Sequence, residues 1–173
     1  MHNSSLTEIS NSFCLTGTVA SITALGDGLI NDTYLVTTQQ KTAPNYVLQR
    51  INSAIFTNVP LLQYTIEAVT RHIRAKLKAA EETDIDRKVL SLVSTERGDT
   101  YYELDGTFWR MMLFIPDTLT YNEVTPSYAE DAGRAFGRFQ SQLMDLPETL
   151  SETIPNFHNM EFRSACIWTR SYS

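Results

Sequence analysis

The stretch from Gly26 to Val36 places the strongest restriction on how this chain can fold. Gly26 and Gly28 flank Asp27, and an alternating pattern typical of a strand begins directly after them. Another strand-like run, rich in β-branched residues, precedes them from Gly17 to Leu25. No Gly-Lys-Ser/Thr follows and no helical pattern begins there, which excludes a Walker phosphate loop and a dinucleotide fingerprint. The remaining interpretations are a glycine-rich loop that closes over a ligand and a simple hairpin turn.

The following residues predict an antiparallel sheet with one inserted helix. Strand patterns recur after short connections, at 31–38 and 46–51. From Pro60 to Ala80 the period changes to that of a helix, with its apolar stripe at Leu62, Ile66, Val69, Ile73 and Leu77. A further strand is expected at 89–93, Asp105-Gly106 indicates a tight hairpin, and Pro116 should end the sheet. We therefore expect an α+β fold in which residues 1–116 form a five-stranded antiparallel sheet with one inserted helix.

Beyond Pro116 the chain changes character. Residues 117–125 form a polar connection that suits a hinge, and Thr125-Pro126 opens a second helix with Ser127 and Glu130 at capping-box spacing. An apolar stripe follows at Ala129, Ala132, Phe136, Phe139 and Leu143. We expect residues 117–173 to be a hinge and the start of an incomplete helical lobe.

Charge and composition exclude several classes of partner. The formal net charge is −6, which argues against binding to nucleic acid or to an anionic membrane. No apolar run approaches the length of a membrane span, and the first residues lack the features of a secretory signal. Cys14 and Cys166 are far apart and outside metal-ligand spacing, so we expect free thiols, no metal site and a cytoplasmic location.

The order of these elements, together with several sequence phrases, resembles the aminoglycoside phosphotransferase/choline kinase family over about residues 13–163. The phrases are Gly28-Leu29-Ile30-Asn31-Asp32-Thr33-Tyr34, Tyr46-Val47-Leu48-Gln49-Arg50-Ile51-Asn52, Ile66-Glu67-Ala68-Val69-Thr70-Arg71-His72-Ile73 and Glu152-Thr153-Ile154-Pro155-Asn156-Phe157-His158-Asn159. Within the family the chain looks most like the N-acetylhexosamine 1-kinase branch. The resemblance implies a kinase-like N-terminal lobe and transfer of the ATP γ-phosphoryl group to a hydroxyl, that of a sugar in the branch named, with Mg²⁺.

The same resemblance assigns residues to a nucleotide site. Gly26, Asp27 and Gly28 would fold over the triphosphate. Asn31, Asp32 and Thr33 would either brace this loop as ordinary turn residues or reach phosphate.

Arg50 takes the place of the cation that kinases carry at the fourth position of a strand motif, with a plain strand arginine as the alternative. Glu67 would hold that cation or pair with Arg71 on its own helix. Phe114 and Ile115 would form the hinge that meets adenine, since Pro116 has no N–H to donate.

The catalytic aspartate and the metal ligands of this chemistry are not found in the sequence. They would sit in a His-x-Asp motif and a later Asp motif, whereas His2, His72 and His158 begin no such motif. We therefore expect no catalytic residue and no activity in this chain alone. We interpret residues 164–173 as the result of a truncation or of a change of reading frame. Three interpretations stay open: the ATP-binding part of a sugar kinase, a non-catalytic nucleotide-binding module, and a non-functional remnant whose exposed helix stripe makes it associate.

Overall fold

A computed structural model describes residues 3–26, 30–121, 123–157 and 159–162. Its elements, in chain order, are α1 (Asn3–Asn11), β1 (Val19–Ala24), β2 (Asp32–Thr38), β3 (Tyr46–Ile51), α2 (Val59–Ala79), α3 (Ile85–Lys88), β4 (Leu92–Val93), β5 (Tyr102–Leu104), β6 (Thr107–Leu113) and α4 (Pro126–Leu143). The described strands form one six-stranded antiparallel sheet in the order β1-β2-β3-β6-β4, with β5 also paired to β6. The expected antiparallel sheet with one long helix after the third strand is confirmed. It contains six strands instead of the expected five, because both arms of the hairpin predicted at Asp105-Gly106 count as strands, β5 and β6.

The β5–β6 hairpin turns at the predicted dipeptide. Asp105 and Gly106 have φ angles of +48° and +72°, the left-handed pair that a two-residue hairpin turn requires. The strand expected at 89–93 is much shorter, because α3 occupies the preceding residues and Val89 is buried against α2.

The two faces of the sheet bury different helices. Tyr46 and Leu48 of β3 share one face with Met111 of β6, and α1 covers this face with Leu6 and Ile9. Since side chains alternate along a strand, the intervening residues of β3 lie on the opposite face.

The beginning of α2 packs on that opposite face. Ile51 of β3 and Phe108 of β6 are paired in register. They form a cluster with Val59, Leu62 and Ile66 of α2. The beginning of α2 is therefore packed against the loop end of β3 and β6, on the face that α1 does not cover.

Helix α2 begins and ends where the sequence predicts. The side chain of Asn58 accepts a hydrogen bond from the Leu61 N–H at 3.0 Å, and Pro60 lies in the first turn. Leu62, Ile73 and Leu77 of the predicted stripe are buried.

Helix α4 has a different N-cap from the predicted capping box. The Thr125 hydroxyl accepts from the Tyr128 N–H, while Glu130 pairs with Arg134 one turn further on. Ser127 and Glu130 therefore form no capping box, because Pro126 takes the first helical position and moves the cap to Thr125. None of the described helices is long and apolar enough to cross a membrane.

Candidate functional site

Hydrogen bonds join the residues just before β2 to the residue just after β3, at the base of the glycine loop. The Asn31 side chain accepts from the Asn52 N–H at 2.9 Å, and the Asn52 amide donates to the Ile30 carbonyl at 3.1 Å. Gly26 has a φ of +69°, which favours glycine. Asn31 is therefore bonded to the chain just after β3, and its predicted role, as a brace of the loop or as a phosphate contact, stays a prediction. Asp27 and Gly28 lie outside the described residues.

Arg50 and Asp32 form an ion pair beside these hydrogen bonds. Their side chains are 2.7 Å apart and are 39% and 49% exposed, so solvent screens the pair and its contribution to stability is about 0–1 kcal/mol. They line an open cavity of about 300 Å³ with Ile30, Asn52, Ser53, Ala54 and Thr107.

Strand alternation gives Arg50 a different face from the one that α2 covers. Val47 and Gln49 share that face with Ile51, whereas Arg50 shares the α1 face with Leu48. In the sequence analysis, Arg50 was taken as the fourth residue of a strand motif that begins at Val47. Because side chains alternate along a strand, the first and fourth residues of this motif lie on opposite faces of the sheet. The predicted contact between Arg50 and phosphate stays a prediction.

A second arginine, which the sequence analysis did not consider, lies on the α2 face. Gln49 and Arg110 are paired across β3 and β6, and the Gln49 Oε1 accepts from Arg110 Nε at 2.8 Å and from Nη2 at 2.5 Å. The Gln49 Nε2 in turn donates to the Thr33 hydroxyl at 3.0 Å. Burial lowers the pKa of Arg110, since an apolar environment disfavours its charged form. In the sequence, Arg110 could have been noticed as the one charged residue in the mostly apolar run 107–113.

Glu67 does not hold Arg50 in this structure. Its residue is exposed, and no ion pair joins its carboxylate to any described residue. The alternative partner, Arg71, binds Glu148 at 2.7 Å. The role of Glu67 was predicted from a sequence phrase, which does not determine how the helix is rotated about its own axis. In the structure this rotation directs Glu67 towards solvent.

The predicted hinge has one backbone position free of described hydrogen bonds. The Phe114 N–H donates to the Asn45 carbonyl at 2.9 Å. Arg87 donates to the Pro116 carbonyl at 2.7 Å. Ile115 lies between them, and none of the hydrogen bonds of the described residues uses its backbone. If this segment meets a purine, Ile115 is the position that can donate and accept.

Polar contacts also tie α2 to the end of α4. Asp145 binds Lys76 at 2.5 Å and His72 at 3.1 Å. Hydrogen bonds from Lys76 and His72 lower the pKa of Asp145 to about 2. Above this contact an apolar groove of about 950 Å³ runs between the two helices, lined by Ile66, Val69, Ile73, Leu77 and Phe139 among others.

Comparison with known proteins gives one informative likeness. No family model matches the sequence. Among solved structures, spectinomycin phosphotransferase APH(9)-Ia, in complex with ADP and spectinomycin, matches 86% of this chain with a TM-score of 0.53 and 10% sequence identity. The chain spans 39% of the length of that structure. At this identity the likeness concerns the fold, and it agrees with the six-stranded antiparallel sheet and inserted helix described above. The described residues therefore have the fold of a kinase-like N-terminal lobe.

Proposed function

We propose that this chain is the nucleotide-binding lobe of an ATP-dependent phosphotransferase with an alcohol group as acceptor. The observation that carries the proposal is the likeness of its fold to a phosphotransferase that was solved with ADP. The glycine loop, the neighbouring arginines and the Ile115 backbone supply the donors that a nucleotide needs.

Each predicted residue has a role in this proposal. The loop of Gly26, Asp27 and Gly28 covers the triphosphate, and Asn31, Asp32 and Thr33 hold its base. Arg50 lies on the α1 face, so in this proposal its side chain reaches phosphate around the open end of β3, from the cavity it shares with Asp32. Phe114 and Ile115 contact adenine. Glu67 stays in the proposed site only if nucleotide binding turns its side chain inward.

The finer parts of the proposal come from the sequence resemblance. It favours a sugar of the N-acetylhexosamine type as acceptor and phosphoryl transfer with Mg²⁺. Within the described ranges no three His, Cys, Asp or Glu side chains converge to hold a metal ion, and we derive no step from the metal. Cys14 is a free, exposed thiol, Cys166 lies outside the described residues, and the reducing, cytoplasmic compartment stays part of the proposal.

Calorimetric titration with Mg·ATP tests the proposal. We expect weak binding to the parent chain and at least a tenfold loss of affinity in Arg50→Ala, about the effect of one charged hydrogen bond. Arg97→Ala, in an exposed turn that lines a different cavity from Arg50, is the matched control and should bind like the parent. Absence of binding to the folded parent would contradict the proposed function, and unchanged affinity in Arg50→Ala would remove only Arg50 from the site.

Measurements of phosphoryl transfer and of self-association distinguish the three interpretations of this chain. We expect no phosphoryl transfer to N-acetylhexosamine from the purified chain. Thermal stabilisation by ATP without turnover would favour a non-catalytic nucleotide-binding module. No stabilisation together with self-association would favour a non-functional remnant.

A further inference from the structure

The inference concerns Arg110, which carries a charge in the middle of the sheet without an acidic partner. It is half-buried in β6, between Trp109 and Met111, and no carboxylate of the described residues pairs with it. A partly buried guanidinium normally has an acid beside it, because a neutral environment leaves its charge uncompensated. Among the described residues, no negative charge therefore lies beside Arg110 to balance its positive charge.

Gln49 holds the guanidinium in one orientation without neutralising it. Its Oε1 accepts two hydrogen bonds from Arg110, and its Nε2 donates to Thr33. This chain of contacts crosses three neighbouring strands, β2, β3 and β6. The bonds to Gln49 use one edge of the guanidinium, so the remaining N–H groups stay available as donors.

The position of Arg110 connects this cation to the glycine loop. Thr33, at the far end of the chain of contacts, lies on the strand that leaves the loop, two residues after Asn31. Arg110 shares its face with Val47 and Met112, and lies two residues from Phe108, which packs on α2. On this face the guanidinium of Arg110 therefore lies between the apolar side chains of Met112 and Phe108.

We propose that Arg110 binds the phosphate oxygens of the nucleotide, with Gln49 as its positioning residue. The proposal rests on the proposed function and adds a residue to that site. A guanidinium with one edge fixed presents its other edge to a phosphate as a bidentate donor. The ligand class is the polyphosphate of a nucleoside di- or triphosphate, which supplies the missing negative charge.

Titrations with Mg·ATP and with adenosine test this assignment. Arg110→Met approximates the unbranched stem of the side chain and removes the guanidinium and its charge, so we expect at least a tenfold loss of ATP affinity and adenosine affinity within about twofold of the parent. Arg97→Ala serves again as the control. Circular dichroism without nucleotide checks that each variant is folded.

A second variant keeps the test decisive if Arg110→Met does not fold. Gln49→Glu leaves the guanidinium in place but gives it an internal carboxylate, and it should also lose ATP affinity at least tenfold. Unchanged ATP affinity in either folded variant would overturn the assignment, as would an equal loss for ATP and adenosine, which indicates a structural role. A parent chain that binds neither ligand would overturn the proposed function itself.

Discussion

Asn58 is the residue that decides where α2 begins. The exposed side chain accepts the Leu61 N–H at 3.0 Å, and this satisfies one of the amides that a helix start leaves without an intrahelical partner. The next residue, Val59, is buried in a cluster with Ile51 of the sheet. A local hydrogen bond therefore supports the packing of the whole inserted helix.

Replacement of this cap should weaken the fold by a small, measurable amount. We expect Asn58→Ala to lower the free energy of unfolding by about 1 kcal/mol, because the Leu61 amide loses its partner. Asn58→Asp keeps the acceptor and adds a favourable charge at the helix N-terminus, so it should be close to the parent. Urea unfolding followed by circular dichroism measures both, and an Asn58→Ala variant as stable as the parent would contradict the role of the cap.

At the scale of elements, α2 meets the end of α4 through apolar packing of Leu143 and through polar contacts that centre on one carboxylate. Asp145 accepts hydrogen bonds from two residues of α2 that lie one turn apart, His72 and Lys76. Lys76 also donates to the Gln142 carbonyl in the last turn of α4, where a cation is favourable. The contact therefore joins the inserted helix of the sheet to the helix that follows the hinge.

This contact should make the stability of the chain depend on pH in the acid range. The pKa of Asp145 is lowered from 3.8 to about 2 in the folded chain. A carboxyl whose pKa is lower when folded stabilises the fold above its unfolded pKa, and this stabilisation is lost as the pH falls through the folded value. Between about pH 4 and pH 2 the parent should lose thermal stability more steeply than Asp145→Asn. Asp131→Asn, whose partner Arg134 is in the same helix, is the control, and parallel curves for the parent and Asp145→Asn would contradict the argument.

At the scale of the whole molecule, α4 exposes apolar side chains to solvent. Phe136 is 69% exposed, and Tyr128 and Phe139 are exposed on the same helix. A patch of this kind favours association in water. The sheet, in contrast, buries its apolar residues on both faces.

Substitution on this surface should change association and leave stability almost unaltered. We expect Phe136→Gln to reduce self-association at high protein concentration, since it removes exposed apolar area, with a change of no more than about 0.5 kcal/mol in the free energy of unfolding. Gln140→Ala on the same helix is the control. Light scattering over a concentration series measures the effect, and equal association of Phe136→Gln and the parent would show that α4 does not mediate it.

The sequence predicted those parts of the fold that depend on local patterns. The stripe of α2 and the turn at Asp105-Gly106 follow from spacing and backbone preference within one segment. The contact between Gln49 and Arg110 joins residues 61 positions apart, and it depends on a register that no local pattern determines. For the same reason Arg50 could be recognised as a strand cation, while its face could not be assigned.

The hydroxyl of Tyr46, a buried residue of β3, accepts the Thr16 N–H at 2.8 Å and donates to the Thr16 carbonyl at 3.3 Å. The segment that joins α1 to β1 is thereby fastened to the centre of the sheet, and Phe13 just before it is buried in the same core. Anyone who trims this protein for crystallography or fuses it to another domain should consequently retain the residues ahead of β1. A shortened protein that begins at Val19 would expose the α1 face of the sheet to water. It would also lose the hydrogen bonds between Tyr46 and Thr16.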